Sequence, residues 1–265
     1  MDIKEKFSII ILSCDKYSDL WKPFFNLFFR FWPDYPFKVY LLTDRLNINI
    51  PNVEALPSGN YLSWSDSLIN ALNHIEEDYV FLFLEDLFLF DFVNTDIILE
   101  IFEWILKTNA NYVRLNPSPK PDKHYDELIG IVSKGTIYRA STLLSVWKKD
   151  VLLDLLQPGE SAWDFEIYGS VRSDKYDGFY STWKRYFCYI HGVVKSKWQR
   201  SAVRKLNSLG IEVNLEKRKM MSLTETVGYY LKTQRSNLFK IVPLRFRRKV
   251  KDFILRGKYD YKLKD

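Results

Sequence analysis

Two adjacent carboxylates, Glu85 and Asp86, directly follow a run of apolar residues from Tyr79 to Leu84. The run has the length and continuity of a strand that is buried on both faces. Carboxylates at the end of such a strand are unfavourable to bury unless a metal ion, a sugar or a basic group compensates them. In an α/β sheet they would lie at the carboxyl edge, where ligands bind. The alternative is that the two acids simply begin a loop.

Polar residues follow two earlier apolar runs in the same way. The run from Phe7 to Ser13 leads into the polar turn Cys14-Asp15-Lys16-Tyr17, and the run from Phe37 to Thr43 leads into Asp44. If these strands are parallel, their polar ends meet at one edge of the sheet together with the first acidic pair. The sequence therefore predicts a polar site along that edge.

A second acidic pair, Asp164 and Glu166, lies further along the chain. On a helix their side chains diverge by about 200°, because an α-helix has 3.6 residues per turn. Only one of them can then point into a given site, where it could act as a general base towards a hydroxyl group. The alternative is that both acids flank a helix N-terminus and interact favourably with its dipole.

The segment His191-Gly192-Val193-Val194-Lys195-Ser196-Lys197 follows a last predicted strand, 187–190. A histidine can bind a metal ion, and the two ammonium groups could neutralise a leaving diphosphate. A lone histidine is also common in a purely structural role, and this interpretation stays open.

Strands and helices alternate along the first half of the chain, which predicts an α/β fold with a mostly parallel sheet flanked by helices. The predicted strands are 7–13, 37–43, 53–56, 79–84 and 112–115, and the predicted helices begin near Ser18, Ser63 and Thr95. After Asn116 the pattern is less regular: a loop at 117–122, one or two strands within 137–146 and a helix over 149–156. From Gln199 onward the pattern is helical and basic.

Charge and motif content exclude several classes of protein. The chain carries 20 lysines and arginines against 6 acids from Lys195 onward, and 19 against 27 before it. The acidic front and the lack of a zinc-knuckle, RNA-recognition or helix-turn-helix pattern argue against nucleic acid as a partner. There is no dinucleotide fingerprint, P-loop or nucleophile elbow. Two cysteines without metal-ligand spacing, no signal peptide and no long apolar stretch predict a cytoplasmic protein.

The basic C-terminal part could form an amphipathic helix. Within 244–256, Phe246, Val250, Phe253 and Ile254 would share one face, with arginines and lysines beside it. Such a helix can lie peripherally on an anionic membrane surface, or it can pack on the preceding domain. We therefore expect a catalytic domain over 1–198 and a helical basic extension over 199–265.

Six segments together resemble the GT-A glycosyltransferases. They are "FSIIILSCDKY", "FKVYLLTD", "LSWSDSLINAL", "DYVFLFLEDLFLF", "SAWDFEIYGS" and "HGVVKSKW", in this order over about residues 7–198. The resemblance implies a GT-A (Rossmann-like) fold and a nucleotide-sugar donor, with uridine diphosphate as the commonest carrier. It implies hexosyl transfer to a glycan or lipid-linked glycan acceptor in surface polysaccharide assembly, such as lipopolysaccharide or capsule.

The resemblance also implies roles for individual residues. The nucleotide-sugar site would comprise Ser13, Cys14, Asp15, Tyr17, Asp44, Trp64, Ser65, Glu85, Lys195 and Lys197. Asp86 would take part in catalysis by binding the donor sugar, and Asp164 or Glu166 would be the general base. Asp86 and His191 would hold Mn²⁺ or Mg²⁺. The family's Asp-x-Asp motif is replaced by Glu85-Asp86-Leu87-Phe88, so we expect a weaker metal dependence.

Two other functions fit parts of the pattern. A nucleotidyltransferase would share the nucleotide-binding sheet, but it usually has a Gly-rich basic loop after the first strand, and this chain has none. A non-catalytic scaffold could use the basic extension to bind a membrane surface. Binding of nucleotides distinguishes both enzymes from the scaffold.

Overall fold

The computed structural model of the protein describes residues 3–59, 62–118, 120–239, 242, 246–248, 250 and 253. Its strands are β1 (Phe7–Leu12), β2 (Lys38–Thr43), β3 (Val53–Pro57), β4 (Tyr79–Leu84), β5 (Leu87–Leu89), β6 (Tyr112–Arg114), β7 (Lys123–His124), β8 (Ile129–Ile131), β9 (Ser145–Lys148), β10 (Phe179–Thr182), β11 (Tyr189–His191), β12 (Val193–Val194) and β13 (Lys197–Trp198). Its helices are α1 (Ser18–Phe31), α2 (Trp64–Asn73), α3 (Thr95–Thr108), α4 (Lys149–Leu155), α5 (Ala162–Asp164), α6 (Ser170–Arg172), α7 (Arg200–Ser208) and α8 (Leu223–Phe239), with a π-helical turn at Phe165–Gly169.

Nine of the described strands form one sheet in the order β3-β2-β1-β4-β9-β6-β10-β8-β7. Seven of them point the same way, and β8 and β9 run antiparallel to the rest. The α/β class with a mostly parallel sheet, predicted from the sequence, is confirmed. Strand β9 runs antiparallel to β4, and its first residue, Ser145, pairs with Leu82 near the end of β4. The segment before β9 therefore lies at the carboxyl edge of the sheet.

Strands β1 and β4 are apolar apart from Ser8 in β1, because helices cover both of their faces. On one face α1 brings Phe24 and Phe28 against Phe83, with ring centroids 5.5 and 6.0 Å apart. On the other face α2 and α4 contribute buried leucines, among them Leu68 and Leu152. Burial on both sides explains why β1 and β4 show continuous apolar runs rather than alternation.

One predicted element differs clearly from the structure. The strand or strands expected within 137–146 are reduced to β9, which begins only at Ser145. Tyr138 and Leu144 have φ angles of 53° and 45°, which no extended strand allows. The residues between them form an irregular segment beside the carboxyl edge.

The predicted C-terminal amphipathic helix lies partly outside the described residues, which include 246–248, 250 and 253 but not Ile254. In the described part, Arg248 donates to an Asp174 carboxylate oxygen at 2.5 Å and to the Ser170 carbonyl at 3.1 Å. This contact ties one residue of the extension to the region around α6. Within the described part of the chain, no helix combines the length and apolar character needed to cross a membrane.

Candidate active site

The loops after β1 and β2 are locked together by two aspartates. The Asp15 carboxylate accepts hydrogen bonds from the backbone N–H groups of Asp44 and Arg45, both at 3.0 Å. In return, the Asp15 N–H donates to the Asp44 carboxylate at 3.0 Å. The Ser13 hydroxyl accepts a hydrogen bond from the Trp21 indole at 2.8 Å. Asp15 and Ser13 thus shape the loops with their own side chains.

Cys14 belongs to the loop after β1 and lies close enough to Asp44 and Glu85 to be affected by their charges. Burial, followed by the nearby Asp44 and Glu85 carboxylates, raises the pKa of its thiol. The ends of β1, β2 and β4 therefore converge, as the sequence pattern predicts for parallel strands.

Glu85 and Asp86 are the most unusual ionisable groups at this edge. The Glu85 side chain is buried, and desolvation, with the charge of Asp86 as the second cause, raises its pKa to about 8. Desolvation also raises the pKa of Asp86, while His191 acts against this rise. A carboxyl group that stays protonated near neutral pH can donate a hydrogen bond, whereas an ordinary carboxylate only accepts.

Pairing of β5 with β11 brings His191 to the acidic pair. Its Nδ1 lies 4.0 Å from a carboxylate oxygen of Asp86, and the Gly192 N–H donates to the Asp86 carbonyl at 2.7 Å. A Cβ atom at Gly192 would lie 2.1 Å from the Phe88 ring, so a larger residue would not fit here. The tight packing fixes the backbone that carries His191 next to Asp86.

Arg218 is a site residue that the sequence did not reveal. Its guanidinium makes a bidentate ion pair with Asp19, at 2.8 and 2.9 Å, and both side chains are almost fully buried. It also donates to the carbonyls of Lys16 and Ser196 and lies 4.5 Å from the centre of the Tyr17 ring. Its positive charge partly offsets the raised pKa of both strand-end acids. In a segment with many basic residues, no sequence signal separated this arginine from the others.

The hairpin formed by β12 and β13 carries Lys195 and Lys197. Its two central residues, Lys195 and Ser196, have φ angles of 49° and 61°, as a type I′ turn requires. The Ser196 hydroxyl lies 3.3 Å from the Tyr17 hydroxyl, so the tip of the hairpin reaches the loop after β1. Lys195 is exposed, whereas Lys197 forms an ion pair with Glu225 at 2.5 Å.

Glu166 and Asp164 lie across β4 from the loop after β1, and they occupy different environments. A carboxylate oxygen of Glu166 accepts a hydrogen bond from the Ser141 hydroxyl at 2.6 Å and from the Thr142 N–H at 3.3 Å. Ser141 belongs to the irregular segment before β9, so Glu166 lies at the carboxyl edge. Asp164 instead forms a capping box with Ser161, in which it accepts from the Ser161 N–H and hydroxyl.

Trp64 and Ser65 begin α2 beside the same acidic segment. The Trp64 ring lies 5.6 Å from the ring of Phe165. The buried Ser65 hydroxyl accepts from the Glu160 N–H at 3.0 Å. Ser65 therefore anchors the approach to α5, while Trp64 remains half-buried at the edge.

A second group that the sequence missed lies next to His191. The Tyr189 ring packs edge-on against the imidazole at 5.3 Å, and its hydroxyl accepts from the Asn116 amide at 2.7 Å. The other amide atom of Asn116 is buried without a hydrogen-bond partner. Buried polar atoms are rarely left unpaired, so the Asn116 amide oxygen can accept a further hydrogen bond next to Tyr189.

The donor atoms for a metal ion are few. Within the described residues no cluster of three or more His, Cys, Asp or Glu side chains could hold an ion. Asp86 and His191 alone supply one carboxylate and one imidazole. Mg²⁺ is often held by one or two carboxylates with substrate phosphates completing the shell. The pair thus fits a metal ion that arrives with a diphosphate, and it does not fit a metal site built by protein alone.

No protein-family model and no curated protein matches the chain. Among solved structures, it is similar to Staphylococcus aureus TarS 1-349 in complex with UDP, at 15% identity and a TM-score of 0.49, covering 91% of this chain and 77% of that one. It is also similar to the mannosyltransferase PcManGT from Pyrobaculum calidifontis in complex with GDP-Man and Mn²⁺, at 13% identity and a TM-score of 0.48. This match covers 73% of this chain and 58% of PcManGT. A longer structure of TarS is also similar, at 13% identity and a TM-score of 0.46. That match covers 72% of this chain but only 37% of the TarS chain. At these distances, an assignment of function has to come from this chain's own residues.

Proposed function

We propose that the protein is a glycosyltransferase that moves a hexosyl group from a nucleotide sugar, UDP-linked, to a glycan or lipid-linked glycan. The pathway we propose is the assembly of a surface polysaccharide such as lipopolysaccharide or capsule. One observation carries the proposal: the buried Glu85 and the half-buried Asp86 lie at the carboxyl edge of the sheet. The loops after β1 and β2 lie on one side of this pair, and the Glu166 carboxylate beside the segment before β9 lies on the other. The residues before β9 and after β1 flank this pair from opposite sides.

The loops after β1 and β2 would hold the nucleotide. Asp15 and Ser13 keep these loops in shape, while Cys14, Tyr17 and Asp44 would contact the base and ribose. Trp64 would contact the nucleotide from the start of α2. Arg218 packs on the ring of Tyr17 and so holds this side chain in the position where it would contact the nucleotide.

Glu85 and Asp86 would bind the donor sugar. With a pKa raised to about 8, Glu85 keeps its proton at neutral pH and can donate to a sugar oxygen. Asp86, with His191 beside it, would accept from a sugar hydroxyl or hold Mn²⁺ or Mg²⁺. Such a cation, when bound, would neutralise charge on the departing diphosphate. Lys195, exposed at the tip of the hairpin, would add positive charge on the same side.

Glu166 is the better candidate for the base. The Asp164 carboxylate is used by its capping box, whereas Glu166 is fixed through one oxygen and lies at the edge. In an inverting displacement the acceptor hydroxyl transfers its proton to Glu166 while the hydroxyl oxygen forms a bond to the anomeric carbon. The bond from that carbon to the diphosphate breaks, and the nucleoside diphosphate leaves with the electron pair.

Calorimetric titration with nucleoside diphosphates, nucleotide sugars and nucleoside triphosphates tests the proposal. We expect UDP and a UDP-sugar to bind, and binding of the sugar nucleotide to weaken in Asp86→Asn. The exposed Glu212, changed to Gln, is a matched control that should bind like the wild type. Preference for a triphosphate together with a sugar 1-phosphate would favour a nucleotidyltransferase, and no binding at all would reject both enzymes.

A further inference from the structure

Helix α8 projects an apolar stripe that no described residue covers. Leu223, Val227, Tyr230 and Leu231 are each 58 to 69% exposed. At 100° per residue they lie within about a third of the helix circumference, since they recur at spacings of three and four. The described neighbours of these side chains on the helix are exposed as well, apart from the half-buried Thr226.

The helix has a defined start but little to stabilise the rest of it. Ser222 and Glu225 cap it, with the Glu225 N–H donating to the Ser222 hydroxyl at 3.1 Å and the Ser222 N–H to Glu225 at 2.8 Å. Its 17 residues include Gly228 and several β-branched residues, which are weak helix formers. Isolated helices of about this length are marginal in water and depend on packing of their apolar face. The stripe therefore requires a partner.

Charge decides which partner fits. From 223 to the end, the sequence has twelve lysines and arginines and four acids, a net charge of +8, of which α8 itself carries +1 and the residues directly after it carry the rest. Two copies of this segment placed side by side would repel each other. An anionic bilayer surface, in contrast, attracts basic segments and accepts an apolar stripe into its interface.

We propose that α8 docks the protein on an anionic lipid surface, with Leu223, Val227, Tyr230 and Leu231 facing the bilayer. The Lys197–Glu225 ion pair joins the first turn of α8 to the hairpin beside the candidate active site. Docking would therefore hold that site close to the membrane surface. The proposal does not depend on the chemistry of the site.

Co-sedimentation of the full-length protein with vesicles tests this surface. We expect binding to vesicles that contain phosphatidylglycerol, little binding to phosphatidylcholine alone, and weaker binding at high salt because the attraction is screened. Leu223→Asp with Leu231→Asp should lower the partition coefficient about a hundredfold, since two leucines leave the interface. The matched control, Tyr229→Asp with Thr233→Asp, adds the same charge on another side of α8 and should retain most of the binding.

Three results would overturn the proposal. The first is a wild type that fails to bind anionic vesicles. The second is an equal loss of binding in the two double variants, which would make the contact purely electrostatic. The third is a dimer, seen by sedimentation equilibrium without lipid, that only the leucine variant dissociates, which would assign the stripe to a second copy of the chain. Circular dichroism of both variants checks that the α/β domain is intact, so loss of binding can be attributed to α8.

Discussion

Replacing Glu85 with Gln should stabilise the protein at neutral pH and leave its stability nearly unchanged in acid. Glu85 is only 9% exposed, and desolvation raises its pKa from 4.5 to about 8, with the charge of Asp86 as the second cause. Glutamine has nearly the same shape and no charge to bury. The substitution therefore removes the ionisation without opening a cavity.

The sign follows from proton binding. Because the folded pKa is raised, the native protein keeps a proton that the unfolded chain loses above pH 4.5. This contribution to stability is fully present below pH 4.5 and is lost as the pH rises towards about 8. One pKa unit corresponds to about 1.4 kcal/mol, so the wild type should lose about 3 kcal/mol relative to Glu85→Gln between about pH 5 and about pH 7.5.

Guanidinium unfolding followed by tryptophan fluorescence at several pH values measures the difference. Glu77→Gln is the matched control: Glu77 is buried just before β4, where it pairs with Lys38 at 3.1 Å. Its replacement removes this ion pair, so Glu77→Gln should not be more stable than the wild type at neutral pH. A Glu85→Gln difference that stays constant with pH, or changes in the opposite direction, would refute the assignment of Glu85 as a buried, proton-retaining acid.

Three further outcomes are expected. Glu166→Gln should lower turnover by about 10²–10⁴-fold while donor binding persists, whereas Asp164→Ala should cost about 1 kcal/mol of stability through loss of its capping-box hydrogen bonds to Ser161 and leave turnover nearly unchanged; unfolding curves and kinetics together check both. Arg218→Ala should destabilise the protein by about 3 to 5 kcal/mol because Asp19 is left buried without its partner, and adding Asp19→Asn should recover part of this in the same unfolding assay. Transfer should be stimulated by Mn²⁺ or Mg²⁺ yet persist at a reduced rate in excess chelator, and Asp86→Asn should lower the rate and the stimulation together; full activity in chelator would show that no metal takes part.

The convergence of the strand ends could be predicted because it depends on strand direction alone. Three apolar runs end in polar residues, and parallel strands must bring such ends to one edge. Their burial on both faces produces continuous runs that are easy to locate. The α/β class and the convergence of Cys14, Asp44 and Glu85 followed from the same pattern.

The partners of these residues could not be predicted, because they come from distant parts of the chain. Arg218 meets Asp19 across 199 positions, and no local pattern encodes that contact. The roles of Asp164 and Glu166 depend on a capping box and a π-helical turn, which place two acids of one tripeptide in different surroundings. The apolar residues around Leu144 likewise favoured a strand within 137–146, but the left-handed conformation of Leu144 confines the strand to the residues after it.

The described structure leaves the acidic pair without a full counter-charge. Arg218 lowers the pKa of both acids, but its guanidinium donates to Asp19 and to two backbone carbonyls rather than to Glu85. His191 approaches Asp86 only to 4.0 Å. Burial therefore remains the main cause of the raised pKa of Glu85 and of Asp86, and the fold keeps two acids where apolar residues would be more stable. Such a local loss of stability is typical of binding sites, and the group that offsets it, a sugar hydroxyl or a cation, would have to arrive with the ligand.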